Sequence, residues 1–509
     1  MSKIKSLVLG SAAGLVAIGG AQAADLPVKA KAVEYVKVCS LYGAGFYYIP
    51  GTDTCLRIGG YVRAEYNING GNSDAPALSG VGGAYARNAS LNNTRARIQL
   101  QFDARTATEY GVVRAFAQVN PQFSTGDQLT NNDVNRFDFA FIQFAGFTFG
   151  RSASAYALPW NANPGNNLTS TLYGGPNFDG GVWNVQYAWQ FGNGLSLSIG
   201  VDEQSQSNRV GLFGGNGTVT PNTGIAPAGL GTLGLLNTYN NNYNGAYTVL
   251  GANQQNTGYY GGGVDVVGNL KLDQAWGLIQ VSGAAHQVRA GYDDPTGNNF
   301  NAPGDKWGYA VNLGLQLKNL PTGPGDDIKF SVGYTEGALR YILGTSNASP
   351  TSIGLFGGSG SNNIATAPIA DGVYTSGTAG GDIQLTKGFG LNGGFNHNWN
   401  ANWSSSVFGS YTKINYNDTA KGILTAASAA SIRPFYNPDF NIGQVGVVTS
   451  WTPVKGLTFA AEGLYTNVDG STKGTAVLAT APAPGHGPGT YTFGSQDIWS
   501  GSLRVQRNF

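Results

Sequence analysis

The stretch Ile498-Trp499-Ser500-Gly501-Ser502-Leu503-Arg504-Val505-Gln506-Arg507-Asn508-Phe509 decides the fold. Trp499, Leu503, Val505 and Phe509 alternate with Ser502, Arg504, Gln506 and Asn508. Successive side chains of a strand point to opposite faces, so this segment presents one apolar and one polar face. A soluble sandwich can show the same pattern. Here it ends on an aromatic residue, in a chain that opens with an export-type leader and carries polar residues throughout. That combination points to a barrel in an outer membrane with an aqueous interior.

Lys3 and Lys5 form a basic n-region, Leu7 to Ile18 an apolar stretch, and Ala21-Gln22-Ala23 a small-residue cleavage site. The mature chain is expected to start at Ala24. The apolar run falls short of the roughly 20 residues that a spanning helix needs. The expected organisation is a signal peptide over 1–23, a periplasmic extension and barrel start over 24–54, and a barrel over 55–509.

Composition narrows the class. Charged residues make up 11% of the chain, against about 25% in an ordinary soluble domain. The formal charge of +1 sets up no field for a nucleic-acid partner. The mature part holds no continuous apolar stretch long enough for a spanning helix. A membrane crossing must therefore use strands in a closed barrel, which alone satisfies their backbone in lipid.

The alternation recurs along the chain. Leu56, Ile58, Val62, Ala64 and Tyr66 oppose Arg57, Tyr61, Arg63, Glu65 and Asn67, and Ala96, Ile98, Leu100 and Phe102 oppose Arg95, Arg97, Gln99, Gln101 and Asp103. Later segments repeat it around Tyr309 to Lys318 and Leu457 to Tyr465. Short connections are expected at 105–108, 145–146, 192–194, 273–275, 319–326, 398–402 and 452–456. Long ones are expected at 69–93, 120–135, 151–180, 204–258, 288–305, 337–379, 417–439 and 467–494, as Asn- and Gly-rich surface loops. One rim then carries tight turns and the other loops. The predicted fold class is an all-β, transmembrane antiparallel barrel of about 16 strands, a size that encloses an aqueous channel.

Cys39 and Cys55 face an oxidising compartment after export and are expected to form a disulfide. The histidines, His286, His397 and His486, are too scattered for a metal motif, so neither a metal nor a cofactor is expected. Gly388-Phe389-Gly390-Leu391-Asn392-Gly393 fits GxGxxG but sits in a strand-like region with no following helix, which argues against nucleotide binding. Two rival classes remain. A barrel enzyme would use His286 as its base, and an exported all-β adhesive or binding protein would also carry strands and Gly-rich loops.

The segment from Val38 to Arg63, VCSLYGAGFYYIPGTDTCLRIGGYVR, and the ending IWSGSLRVQRNF resemble the general porins of alphaproteobacteria, typified by the Brucella outer-membrane porins. FAFIQFAGFTFGR, Phe139 to Arg151, is similar to the strand pair that precedes their inward-folded third loop. The resemblance implies a homotrimer of 16-stranded barrels, passive diffusion of ions and small hydrophilic solutes, and no catalysis. It also implies that the last strand, with Trp499, Leu503, Val505 and Phe509, is recognised by the outer-membrane assembly machinery. Contact with outer-membrane lipid follows from the same class.

By parity, Arg57, Arg63, Arg95, Arg97 and Arg114 line the pore with Glu65 and Asp103 among them. Basic side chains in a narrow channel favour anions; the same arginines could instead pair across strands and stiffen the wall. The third loop implied by the resemblance, about Ser152 to Phe178, holds no charged residue. Arg151 precedes it and Asp179 follows it. Tyr156, Leu158 and Trp160 are candidates either to touch solutes or to pack the loop on the wall. Weak anion preference or little selectivity is expected. Outward Tyr66, Tyr465, Trp499 and Phe509 are expected at the membrane interface, and Arg507 interrupts the apolar face beside them.

Overall fold

The computed structural model describes residues 37–69, 92–125, 137–169, 172–204, 212–215, 263–289, 304–343, 356–359, 362–365, 369–375, 382–427, 436–478 and 488–509. The expected leader lies outside them.

Sixteen strands close into one antiparallel barrel. The first eight are β1 (Cys55–Ile68), β2 (Asn93–Thr108), β3 (Gly111–Val119), β4 (Phe137–Phe144), β5 (Phe147–Ser152), β6 (Val182–Gly192), β7 (Leu195–Glu203) and β8 (Val264–Asp273). The rest are β9 (Gly277–Val288), β10 (Lys306–Lys318), β11 (Asp327–Glu336), β12 (Lys387–Asn398), β13 (Trp403–Asn415), β14 (Phe440–Val454), β15 (Leu457–Leu478) and β16 (Gly489–Asn508). Strand β3 breaks at Pro121, which lacks an N–H, and resumes as Gln122–Ser124 against Arg97–Arg95.

Closure comes from the quoted terminal strand. β16 pairs with β1 from Tyr61↔Asn508 to Ile68↔Gly501. Phe509 N donates to Gly60 O at 3.1 Å and Gly60 N to Phe509 O at 3.2 Å. Gly60 has φ +152°, and a Cβ there would stand 1.9 Å from Gln99 O, so only glycine fits at the seam.

The faces follow the parity read from the sequence. Val62, Tyr66, Leu270, Val281, Leu313, Val445 and Leu503 are exposed outward, while Glu65, Asn184, Gln280, Asn312, Ser331, Asn392 and Gln444 are buried within. Apolar outside and polar inside suits a wall between lipid and an aqueous lumen. Aromatic pairs such as Trp403–Trp451 at 5.8 Å and Tyr465–Trp499 at 4.8 Å stand on the outer surface, as an interface belt requires.

The tight turns fall at one rim, with two departures from expectation. β2 continues through Arg105 to Thr108 and turns at 109–110, because Arg105 keeps the inward parity and pairs with Asp103 at 2.8 Å. On the other rim, β15 and β16 extend to Leu478 and Gly489, so the last connection is only 479–488. Its inward residues Ala476, Tyr491 and Phe493 are buried, but small polar neighbours hide the alternation in the sequence.

The long loops are also more than hydrated surface. Loop 337–386 carries α1 (Arg340–Leu343), and loop 416–439 carries α2 (Asp418–Ala427), whose N-cap Asn417 accepts from Ala420 N at 2.8 Å. Leu339, Ile342, Ile369, Val373, Ala420 and Leu424 pack with inward Ile414, Phe440 and Ile442 into an apolar core inside the loop rim. Glycine- and alanine-rich loops give little periodic sign of such a core.

At the turn rim, Cys39 and Cys55 form the expected disulfide. They are 16 positions apart in sequence, and loop closure of this size contributes roughly 3 kcal/mol. The linked loop folds Phe46 beneath the guanidiniums of Arg57 and Arg105, at 5.2 and 5.0 Å. Aromatic faces thus support the lowest arginines of the lumen.

Turn 319–326 is tied by one carboxylate. Asp326 accepts from Thr322 Oγ1 at 2.6 Å, Asn398 N at 2.9 Å and His397 Nδ1 at 2.6 Å. The Thr322 hydrogen bond foremost, with those from Asn398 and His397, holds its carboxyl down at about 2. A depressed folded value stabilises the fold above the ordinary carboxylate range and loses that effect as pH falls towards 2. Asp326→Asn is therefore expected to melt below the parent at pH 7, with the gap closing between pH 4 and 2 when both are scanned by circular dichroism.

Candidate functional site

The residues that shape the lumen come from two sources, an arginine-bearing wall and the loop between β5 and β6. On the wall, Glu65 of β1 receives Arg95 of β2 and Arg504 of β16, with Arg63 Nη1 3.7 Å away. Below it, Asp103 receives Arg105 at 2.8 Å and Arg114 at 3.0 Å, with Arg57 at 4.0 Å. Arg97 is held by neutral Gln122, at 2.8 Å from Nε, and Arg63 also donates to Gln506 at 2.8 Å. Six arginines share two carboxylates on these neighbouring strands, and Arg97 stands among them as a seventh. Each carboxylate is buried, so its pairs are shielded from solvent, yet the cluster as a whole remains cationic.

Arg57, Arg63, Glu65, Arg95, Arg97, Asp103 and Arg114 all stand on the inward parity expected of them. Arg105 and Arg504 belong to the same cluster, in addition to the residues expected there. Arg504 had the correct parity in the sequence, but only barrel closure brings β16 beside β1. Arg105 was concealed by the misplaced turn.

The described residues of the loop, 153–169 and 172–181, lie inside the barrel and run along its wall. Asn269 of β8 donates to Ala155 O, and Gln280 of β9 to Ala157 O at 2.8 Å. Asn396 of β12 donates to Pro164 O at 3.0 Å, while Gln444 of β14 accepts from Tyr173 N at 2.9 Å. Glu462 of β15 accepts from Leu168 N and Thr169 N, and Arg504 donates to Leu168 O at 2.9 Å. Side chains of the wall therefore satisfy the loop's backbone where water does not reach it. The described loop spans β8 to β16 and meets the arginine cluster at Arg504.

The inner face of β12 explains the glycine pattern 388–393. Gly390 faces the Gly174 backbone, and a Cβ on Gly174, at φ +85°, would come within 2.1 Å of Leu391 O. The glycines let a loop lie directly on a strand. Gly390 meets the loop backbone, Gly388 the side chains of Leu339 and Ile342, and Gly393 the neighbouring strand at Lys329 O and Phe330, and no helix N-terminus follows to hold a phosphate.

Tyr156 and Trp160 are buried. Tyr156 packs on Tyr341 at 4.5 Å between ring centres, and Leu158 and Trp160 press on Gly314 of β10. Both aromatics hold the loop to the wall and do not face solute. Arg151 also departs from its expected place in the constriction. It stands on the membrane-facing side of β5, opposite Trp183 of β6, and its Nε donates to Gly180 O at 3.0 Å, closing the base of the loop. Asp179 is exposed at that base. Arg340 of α1 donates to Asn177 O at 2.6 Å, and burial lowers its guanidinium to about 10, still cationic at neutral pH.

His286, the candidate base of an enzyme, is a buried staple. Its Nδ1 lies 2.7 Å from Asp265 Oδ1 and its Nε2 3.5 Å from Asp371 Oδ2, so carboxylates engage both ring nitrogens. Tyr341 donates to the other oxygen of Asp265 at 2.6 Å. The triad joins β8, β9 and the loop that carries α1. Among the described residues, no cluster of His, Cys, Asp and Glu is arranged to hold a metal ion.

A closed barrel of this size, apolar outside and narrowed inside by its own loop, defines an outer-membrane channel for passive diffusion. Residues 25–502 match the porin subfamily, and the chain belongs to that family. It is similar to porin Omp2a of Brucella canis, 29% identical over 377 residues, which span 65% of this chain and 93% of the relative. Porin Omp2b of Brucella suis is 35% identical over 208 residues, 39% of this chain and 52% of the relative. Among solved structures, the outer-membrane channel DcaP of Acinetobacter baumannii superposes with a TM-score of 0.53 at 14% identity, covering 91% of this chain and 99% of the other. That likeness concerns the fold.

The docking of the loop gives a direct test. Glu462→Ala removes the acceptor for two loop N–H groups. Single-channel recordings of this variant are expected to show added current noise and a changed mean conductance, with the barrel still heat-modifiable in gels. A trace indistinguishable from the parent would mean that the loop does not limit conduction.

Proposed function

We propose that this porin is a general diffusion pore with a weak preference for anions. The carrying observation is the ratio of seven arginines to two carboxylates on the wall formed by β16, β1, β2 and β3. The loop that narrows the lumen adds no charge between Ser152 and Phe178, so it does not offset that excess. Sign and moderation have separate causes. The excess attracts anions, while the buried pairs spread and damp the field. The two readings of the arginines, selectivity and stiffening, thus describe one cluster.

Other features of the proposal rest on family membership and on the chain's chemistry. The working unit is a homotrimer in outer-membrane lipid. Trp499, Leu503, Val505 and Phe509 form the strand presented to the assembly machinery. The chain acts without catalysis or cofactor, on small hydrophilic solutes and ions. Residues 1–23 are removed on export, and 24–54 form a periplasmic segment leading into the barrel.

Replacing Arg95 and Arg97 together by Gln removes two positive charges from the wall and leaves Glu65 with fewer partners. The anion-to-cation permeability ratio is expected to fall about twofold or more, read as a shift of the reversal potential across a planar bilayer under a salt gradient. An unchanged reversal potential would overturn the selectivity assignment and leave the arginines a stiffening role.

A further inference from the structure

We propose that the outer wall around β14, β15, β16 and β1 holds a specific site for an anionic phospholipid of the periplasmic leaflet. The outward rows of β15 and β16 climb as Phe459/Val505, Ala461/Leu503, Gly463/Gly501 and Tyr465/Trp499. At the lower rows lies a recess of about 580 Å³. One side is an aromatic ridge, with Trp403, Trp451 and Phe459 in successive contact at 5.8 and 5.5 Å between ring centres. Tyr66 of β1 bounds the other side, and Ala461 and Ala64 keep the floor low.

Above the recess, Gly463 and Gly501 present no side chain before the Tyr465–Trp499 pair closes the path. The six steps from Phe459 to Tyr465 cover about 20 Å along a strand, the reach of an extended acyl chain. This surface already faces hydrocarbon, so its natural filling is a lipid tail.

The lower end supplies the charge. Arg507 follows Val505 on the outward face of β16 and pairs in register with Leu457 and Val62. Its Nη1 donates to Lys455 O, which holds the guanidinium at the turn where the Lys455 ammonium is also exposed. An arginine has five N–H donors, so others remain for an acceptor. A lipid-facing arginine is tolerated near the interface and unfavourable deeper in the bilayer. An anionic headgroup meeting two cations directly beneath an apolar furrow fits this arrangement, and the turn rim places it in the periplasmic leaflet. A second copy of the chain would need a matching acidic group at the same depth.

The test uses the full mature protein in phosphatidylcholine vesicles and the fluorescence component lost in Trp451→Phe. Brominated phosphatidylglycerol is expected to quench that component at about fivefold lower mole fraction than brominated phosphatidylcholine. Arg507→Gln with Lys455→Gln should abolish the preference, as should Lys455→Gln in large part. Ala461→Phe, which fills the recess, should reduce quenching by both lipids. Equal quenching by the two lipids in the parent would overturn the proposal. So would a Trp451 component that neither lipid reaches, combined with loss of the oligomer in Ala461→Phe; that result would assign the recess to a neighbouring copy.

Discussion

A strand in hydrocarbon has no water to satisfy its N–H and C=O groups, and the rest of this structure depends on meeting that constraint. The pairing of β16 with β1 does so by leaving no open edge. It also sets where chemistry can occur. Once the wall is closed and its outer face is apolar, every polar side chain of appropriate parity is collected into one lumen. Arg504 joins Glu65, Arg63 and Arg95 for that reason, although 439 positions separate Arg504 from Glu65 in the chain.

The same rule governs the inner loop. A backbone brought inside a barrel must find partners away from bulk water, and its own residues supply few of them. The wall answers with Asn269, Gln280, Asn396, Gln444, Glu462 and Arg504, one after another around the circumference. Where the contact is backbone against backbone, side chains are absent: Gly174 lies on Gly390, and Gly165 on Gly394. The neutrality of the loop and the polarity of the wall beneath it are therefore parts of one arrangement, and the net positive charge stays on the arginine strands.

Several elements are legible in the sequence alone. The two-residue period exposed the faces of β1, β2, β10, β15 and β16, and the sequence of short and long connections was enough for the strand number. Cys39 and Cys55 were a pair by context. The errors share a cause. Thr108, Leu478 and Gly489 end strands whose outer parts contain threonine, glycine and alanine, residues that fit either a strand or a loop. Arg151 lies beside the loop in sequence, yet β5 runs through it and its parity is that of the outward Phe147 and Phe149. The core formed by α1, α2 and the upper strands had no periodic signature, since its apolar residues are distributed over three distant segments.

The sequence by itself determined the alternation of apolar and polar residues, and with it a barrel of this class, its lipid face and the basic character of several lumen positions. Those are local properties, carried by side-chain parity. Tertiary structure alone decided which arginines share Glu65 and Asp103, where the third loop lies, and that His286 bridges two carboxylates. It also brought Arg507 and Lys455 to the foot of an apolar recess. Each of these depends on strands or loops that meet only after closure, when hydrogen-bond register and shape, which no short stretch of chain encodes, select the partners.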